Sequence, residues 1–103
     1  MAASNPPTRG EAWEGHVTLE DANNPGLVKV NPTLAAGDVT ISKDRGAFAN
    51  LATLPSVAPA SGAGVWVQAS ATEMTADTVL IHFHDQTSPP EWLDFDIPIN
   101  TSA

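Results

Sequence analysis

Residues 78–99 read TVLIHFHDQTSPPEWLDFDIPI, and this stretch decides the fold class. In TVLIHFH the apolar side chains Val79, Ile81 and Phe83 alternate with Leu80, His82 and His84, the period of two that marks a strand with one buried face. The segment DQTSPPE, 85–91, is turn chemistry. WLDFDIPI, 92–99, then alternates again, with Leu93, Phe95, Ile97 and Ile99 on the core side. Two alternating segments so close in sequence are expected to pair antiparallel. With the register left open, that pairing could set Asp94 and Asp96 opposite the two histidines on the outward face.

Working outward, the same alternation recurs upstream. AWEGHVTLED (12–21) sets Trp13, Gly15, Val17 and Leu19 against Glu14, His16, Thr18 and Glu20. DVTIS (38–42) turns Val39 and Ile41 inward, and VWVQAS (65–70) does so with Val65 and Val67. LVKV (27–30) reads as a further short strand. AFANLATLPSV (47–57) reads as two or three short pieces with Phe48, Leu51 and Leu54 in the core. Pro55 and Pro59 keep that region out of the middle of a ladder. DANNPG, NPTLAAG and PASGAG connect these pieces. SATEMTAD (70–77) is the one helical candidate, a single turn capped by Ser70 or Thr72 and too short to stand as a helix. About seven short strands separated by turns predict an all-β sandwich or small barrel, one domain over 12–103. Residues 1–11 carry no periodic pattern and are expected to be a flexible arm, either disordered or ordered by docking on a neighbour.

Composition narrows the function classes. Among 103 residues there are 12 carboxylates and 4 Lys or Arg, a formal net charge of −8, which argues against grasping nucleic acid by its phosphates. No cysteine is present, so neither disulfides nor thiolate–metal sites are expected to hold the fold. The first residues lack an apolar h-region and no apolar run approaches the ~20 residues of a membrane span, so neither a secretory leader nor a membrane partner is expected. There is no P-loop, dinucleotide fingerprint or G-x-S-x-G elbow, and enzymatic activity and cofactors are not expected.

The candidate contact residues are Trp13, Lys43, Arg45, Trp66, His82, His84 and Trp92. Lys43-Asp44-Arg45-Gly46 reads as a three-residue hairpin loop with Gly46 at the positive-φ place. Its two cations are either a solvated tip or a contact to an acidic patch or a glycan. His82 and His84, with Asp94 and Asp96, have the ligand types for zinc without its usual close spacing. The plainer readings are a polar cross-strand face, or a subunit interface sensitive to protonation. Trp66 and Trp92 fall opposite the apolar faces of their strands and are expected outward. There they would serve a partner interface or sugar stacking, unless they pack under the arm and loops.

Two blocks carry a resemblance: LAAGDVTISKDRGAFANLATLPSV (34–57) and ASATEMTADTVLIHFHDQTSPPEW (69–92). Together they resemble small β-domain proteins of tailed bacteriophages and prophages. Those proteins run strand, S-K-D-G-G-A-F, a Pro-containing loop, strand, T-x-x-E-M-x-A-D, an apolar strand, and an acidic strand after E-W. The likeness covers about two-thirds of the chain, from Leu34 onward, and includes no catalytic motif. Arg45 stands where the pattern has glycine, and His82 and His84 replace apolar or small polar residues. The resemblance implies an Ig-like β-sandwich with a structural role in the virion. The expected role is a capsid decoration (cement) protein on the head exterior, made in the host cytoplasm, bound to the major capsid protein or other virion proteins and oligomeric on the particle. The alternatives are a neck, tail or baseplate component, or a module that binds host surface glycans.

Overall fold

The computed structural model describes residues 7–102. Its seven strands are β1 (Trp13–Thr18), β2 (Val39–Lys43), β3 (Ala49–Asn50), β4 (Ser56–Val57), β5 (Gly64–Ala69), β6 (Thr78–Phe83) and β7 (Phe95–Asn100). They form two antiparallel sheets, β1-β5-β4 and β3-β2-β6-β7, so the chain is an all-β sandwich. In the constant-type immunoglobulin arrangement the second strand lies between the first and the fifth. Here β2 lies instead between β3 and β6 of the other sheet. The described residues contain no helix.

The core is the meeting of the two inner faces. Val39 and Ile41 of β2, Val65 and Val67 of β5, Val79, Ile81 and Phe83 of β6, and Ile99 of β7 are all buried, as their alternation requires. Each such side chain contributes about 1.5–3 kcal/mol by leaving water. Phe95 and Ile97 pack against this cluster while half-buried.

Several expectations are corrected. Among the described residues, 27–30 make one isolated bridge, Val28 to Glu20, and Leu27, Val28 and Val30 are exposed. Phe48, Leu54 and Leu93 are exposed rather than core. The segment 47–57 crosses from one sheet to the other, with two residues of β3 and two of β4, and only Leu51 and Pro55 turn inward on the way. Within the segment expected to be an arm, Arg9 N–H donates to Ser102 O (2.9 Å), Ser102 N–H to Pro7 O (2.8 Å) and Gly10 N–H to Met74 O (3.0 Å). Residues 7–10 therefore dock on the chain's own C-terminal segment, with Arg9 also paired to Asp77 at 3.3 Å. The part of the arm over 1–6 lies outside the described residues.

Trp92 is the largest correction. It is fully buried, its indole N–H donating to Thr33 O (3.2 Å) and its ring edge-on to Phe83 at 6.3 Å. The alternation of β7 begins at Phe95 and does not run back to Trp92, which bridges Asp21 in a separate short ladder. The phase breaks between them, and the expected outward direction fails.

Candidate interaction surface

Three short segments lie side by side at one end of the sandwich. Leu93 N–H donates to Glu20 O (3.0 Å), and Lys29 N–H donates to Leu19 O (2.7 Å), so 19–21 is the middle member between 91–93 and 27–29. Glu20 faces Val28 and Asp21 faces Trp92 across these bridges. Side chains directly opposite in such a ladder share a face, so Val28, Glu20 and Leu93 form one outward row. Leu27 is 64%, Val30 59%, Val28 49% and Leu93 40% exposed, so the row and the loop beside it leave apolar side chains in water.

Local chemistry fixes this end. Gly26 has φ 93°, a left-handed turn that a side chain would resist, and its N–H donates to Glu20 Oε2 (3.1 Å). Asp21 Oδ1 accepts from Asn23 N–H (2.8 Å), and that bond holds its carboxyl below the usual range. A groove of about 300 Å³ is lined by Leu27, Val28 and Phe95 together with the acidic side chains Glu20 and Asp94. A neighbouring hollow of about 330 Å³ shares Thr18 and Phe95 and continues to His16 and Gly64. The end thus interleaves apolar and acidic side chains, with Glu20 between Val28 and Leu93.

The turn at 43–46 is built differently from its expectation. Gly46 N–H donates to Lys43 O (2.8 Å), and φ is 49° at Asp44 and 63° at Arg45. Both central residues are left-handed, the mark of a type I′ turn, whereas Gly46 does not take a positive φ. Lys43 Nζ donates to Thr72 O (2.9 Å), and Asp44 Oδ1 accepts from the N–H groups of Asp77 (2.9 Å) and Thr78 (3.1 Å). Lys43 is accordingly a structural strut, and Arg45 alone projects from the turn.

His82 and His84 do share an outward face. His82 faces Asp96 across β6–β7 with Nδ1···Oδ1 2.5 Å, and His84 Nδ1 lies 2.7 Å from Asp94 Oδ1. The imidazoles stack at 6.3 Å and 6°, with Phe48 5.6 Å from His82. The hydrogen bond that His84 Nδ1–H donates to Asp94, and then the charge of Asp94, raise the His84 pKa above 6.5. Each histidine is thus occupied by its own carboxylate. No group of three or more His, Asp and Glu side chains converges as a metal site among the described residues.

The tryptophans do not form one surface. Trp13 is half-buried against the core, its ring lying over Gly15, where an added Cβ would meet the indole at 2.4 Å. Trp66 lies on the same sheet but on its outward face, opposite His16 in register and edge-on to its ring at 5.6 Å, while His16 Nε2 donates to Ala58 O (2.6 Å). The structure therefore brings together His82 and His84, and sets Lys43 beside Arg45, but separates Trp66 from both and moves Trp92 into the core. The apolar row at Val28 and Leu93 was missed. Its one sequence signal was the adjacent pair Leu27-Val28, which breaks strand alternation between Pro25 and Pro32.

No family model matches the chain, and neither a curated protein nor a solved structure matches it.

Proposed function

We propose that this chain is a non-enzymatic adhesion module of a tailed-phage virion, a capsid decoration protein that binds the major capsid protein on the head exterior. The observation that carries the reading is the exposed row Val28, Glu20 and Leu93, in which a carboxylate lies between two apolar side chains, beside the groove that Leu27 and Phe95 help to line. Such a surface suits a partner that offers apolar side chains flanked by Lys or Arg. The resemblance over 34–57 and 69–92 supplies the virion setting. Repeated attachment across a shell would stabilise it through many modest contacts, with copies oligomeric by virtue of the lattice they sit on.

The test is the copy number per purified particle, measured by quantitative mass spectrometry against an isotopically labelled standard. Copies on the order of hundreds support decoration of the head. A number matching a single ring moves the protein to the neck, tail or baseplate, and absence from the particle overturns the virion reading. The glycan reading has lost Trp92 to the core and now rests on Trp66 alone.

A further inference from the structure

Arg45 combines three features that the adhesion surface does not use. Its backbone is left-handed at φ 63°, a conformation an arginine adopts only at a cost and that glycine takes freely. Its neighbours are all employed: Ser42 Oγ donates to Gly46 O (2.7 Å), Lys43 holds Thr72 O, and Asp44 holds the start of β6. Its own guanidinium has no carboxylate partner among the described residues, in a chain with 12 carboxylates and 4 Lys or Arg. Arg9, by contrast, pairs with Asp77.

The side chain borders a hollow of about 250 Å³ on the outer face of the four-stranded sheet. Leu80 and Pro98 face each other across β6 and β7 at its floor, and Thr78 and Asn100 form the next facing pair. β7 is the edge of its sheet, and Pro98 removes an N–H from the middle of that edge, which disfavours an added strand. The hollow thus suits a side chain entering from above.

We infer that this hollow binds an acidic peptide segment, with Arg45 holding an Asp or Glu carboxylate and an adjacent apolar residue resting on Leu80 and Pro98. The charge complement selects the ligand. A guanidinium forks onto one carboxylate with two parallel hydrogen bonds. A polyanion such as nucleic acid needs several cations together, and the formal charge of −8 repels it. That same net charge acts weakly on a single carboxylate at physiological salt, where exposed charges are screened beyond about 8 Å. This site lies apart from the Val28 and Leu93 row and does not rest on the virion reading.

The experiment titrates the ¹⁵N-labelled full chain with acetyl-Leu-Glu-Leu-amide, and in parallel with acetyl-Leu-Gln-Leu-amide and with inorganic phosphate. Saturable shifts at the amides of Thr78, Leu80 and Asn100 and at Arg45 Nε–H are expected with the Glu peptide. Binding should weaken about tenfold or more with the Gln peptide and in Arg45→Gln, which keeps the backbone demand and removes the charge. Arg45→Gly should lose binding while its Tm rises by roughly 4–8 °C, as the left-handed residue becomes glycine. The assignment is overturned by equal binding of the two peptides, by retained binding in either variant, by a stronger response to phosphate, or by no saturable shift at all. A lower Tm in Arg45→Gly would overturn the claim that arginine is held there against its backbone preference.

Discussion

Asp85 stands at the end of β6 with 4% of its surface exposed, and it folds the loop that delivers Trp92 to the core. Burial alone would push its carboxyl up, but the N–H groups of Thr87 (2.9 Å) and Glu91 (2.7 Å) outweigh that and hold it below its ordinary value. A lowered carboxyl contributes stability above its unfolded pKa of 3.8, and that stability is lost as pH falls through the folded pKa. Asp85→Asn turns one acceptor into a donor facing an N–H, and should cost about 1–3 kcal/mol in urea unfolding at neutral pH. The gap between the two proteins should close as the wild-type carboxyl protonates. His84 has the opposite sign. Its raised pKa makes its bond to Asp94 stabilising below 6.5, an advantage lost as pH rises through the folded value, with Asp38 and Asp85 adding to the shift. NMR titration should place the wild-type ring above 6.5 and find it lower in Asp94→Asn. That the two histidines share an outward face was legible from the alternation of β6, whereas the register that sets His82 against Asp96 stayed open in the sequence and is given by the pairing of the strands. Trp92 was not legible, because its direction depends on the loop that Asp85 holds.

At the scale of elements, the candidate helix over 70–77 is a turn with a complete capping box. Glu73 N–H donates to Ser70 Oγ (3.1 Å), and Ser70 N–H donates to Glu73 Oε1 (2.9 Å), so of the two expected caps it is Ser70 that serves. The second carboxylate oxygen of Glu73 also accepts from Ala52 N–H (2.9 Å). One side chain therefore ties the turn before β6 to the segment between β3 and β4. Glu73→Ala should cost about 1–2 kcal/mol and loosen both places, seen as lower Tm and faster amide exchange at Ala52 and Ser70. Glu73→Gln should retain more of both, since its amide oxygen still accepts from one N–H. The capping pattern S-x-x-E was visible in the sequence because it is local. The tie to Ala52 was not, because it joins residues 21 positions apart. The same distinction explains 47–57: its proline punctuation was readable, but which sheet each two-residue strand joins depends on partners far along the chain.

For the whole molecule, strand number and inner faces were legible, whereas the placement of β2 beside β6 and the bare loop over 27–30 were products of tertiary arrangement. That bare loop bears on how the molecule would adhere. A contact made by charge alone weakens steeply with salt, since the Debye length falls from about 30 Å at 0.01 M to about 3 Å at 1 M. A contact whose centre is apolar persists, with only its rim screened. Leu27, Val28, Leu93 and Phe95 give this surface apolar contact area beside Glu20 and Asp94, which places it nearer the second class than the first. Particle attachment should then survive high salt, with slower association as the steering field is lost. The double variant Val28→Glu and Leu93→Glu should abolish attachment at every salt concentration, because it puts charge where the partner must be dry. Both side chains are exposed but sit opposite Glu20, so the added like charges should lower the unfolding free energy by about 1 kcal/mol, leaving the protein folded. Co-sedimentation with particles across a salt series, alongside urea unfolding of each protein, separates the cases. Attachment lost with salt in the wild type, or retained in the double variant, would move adhesion away from this end of the sandwich.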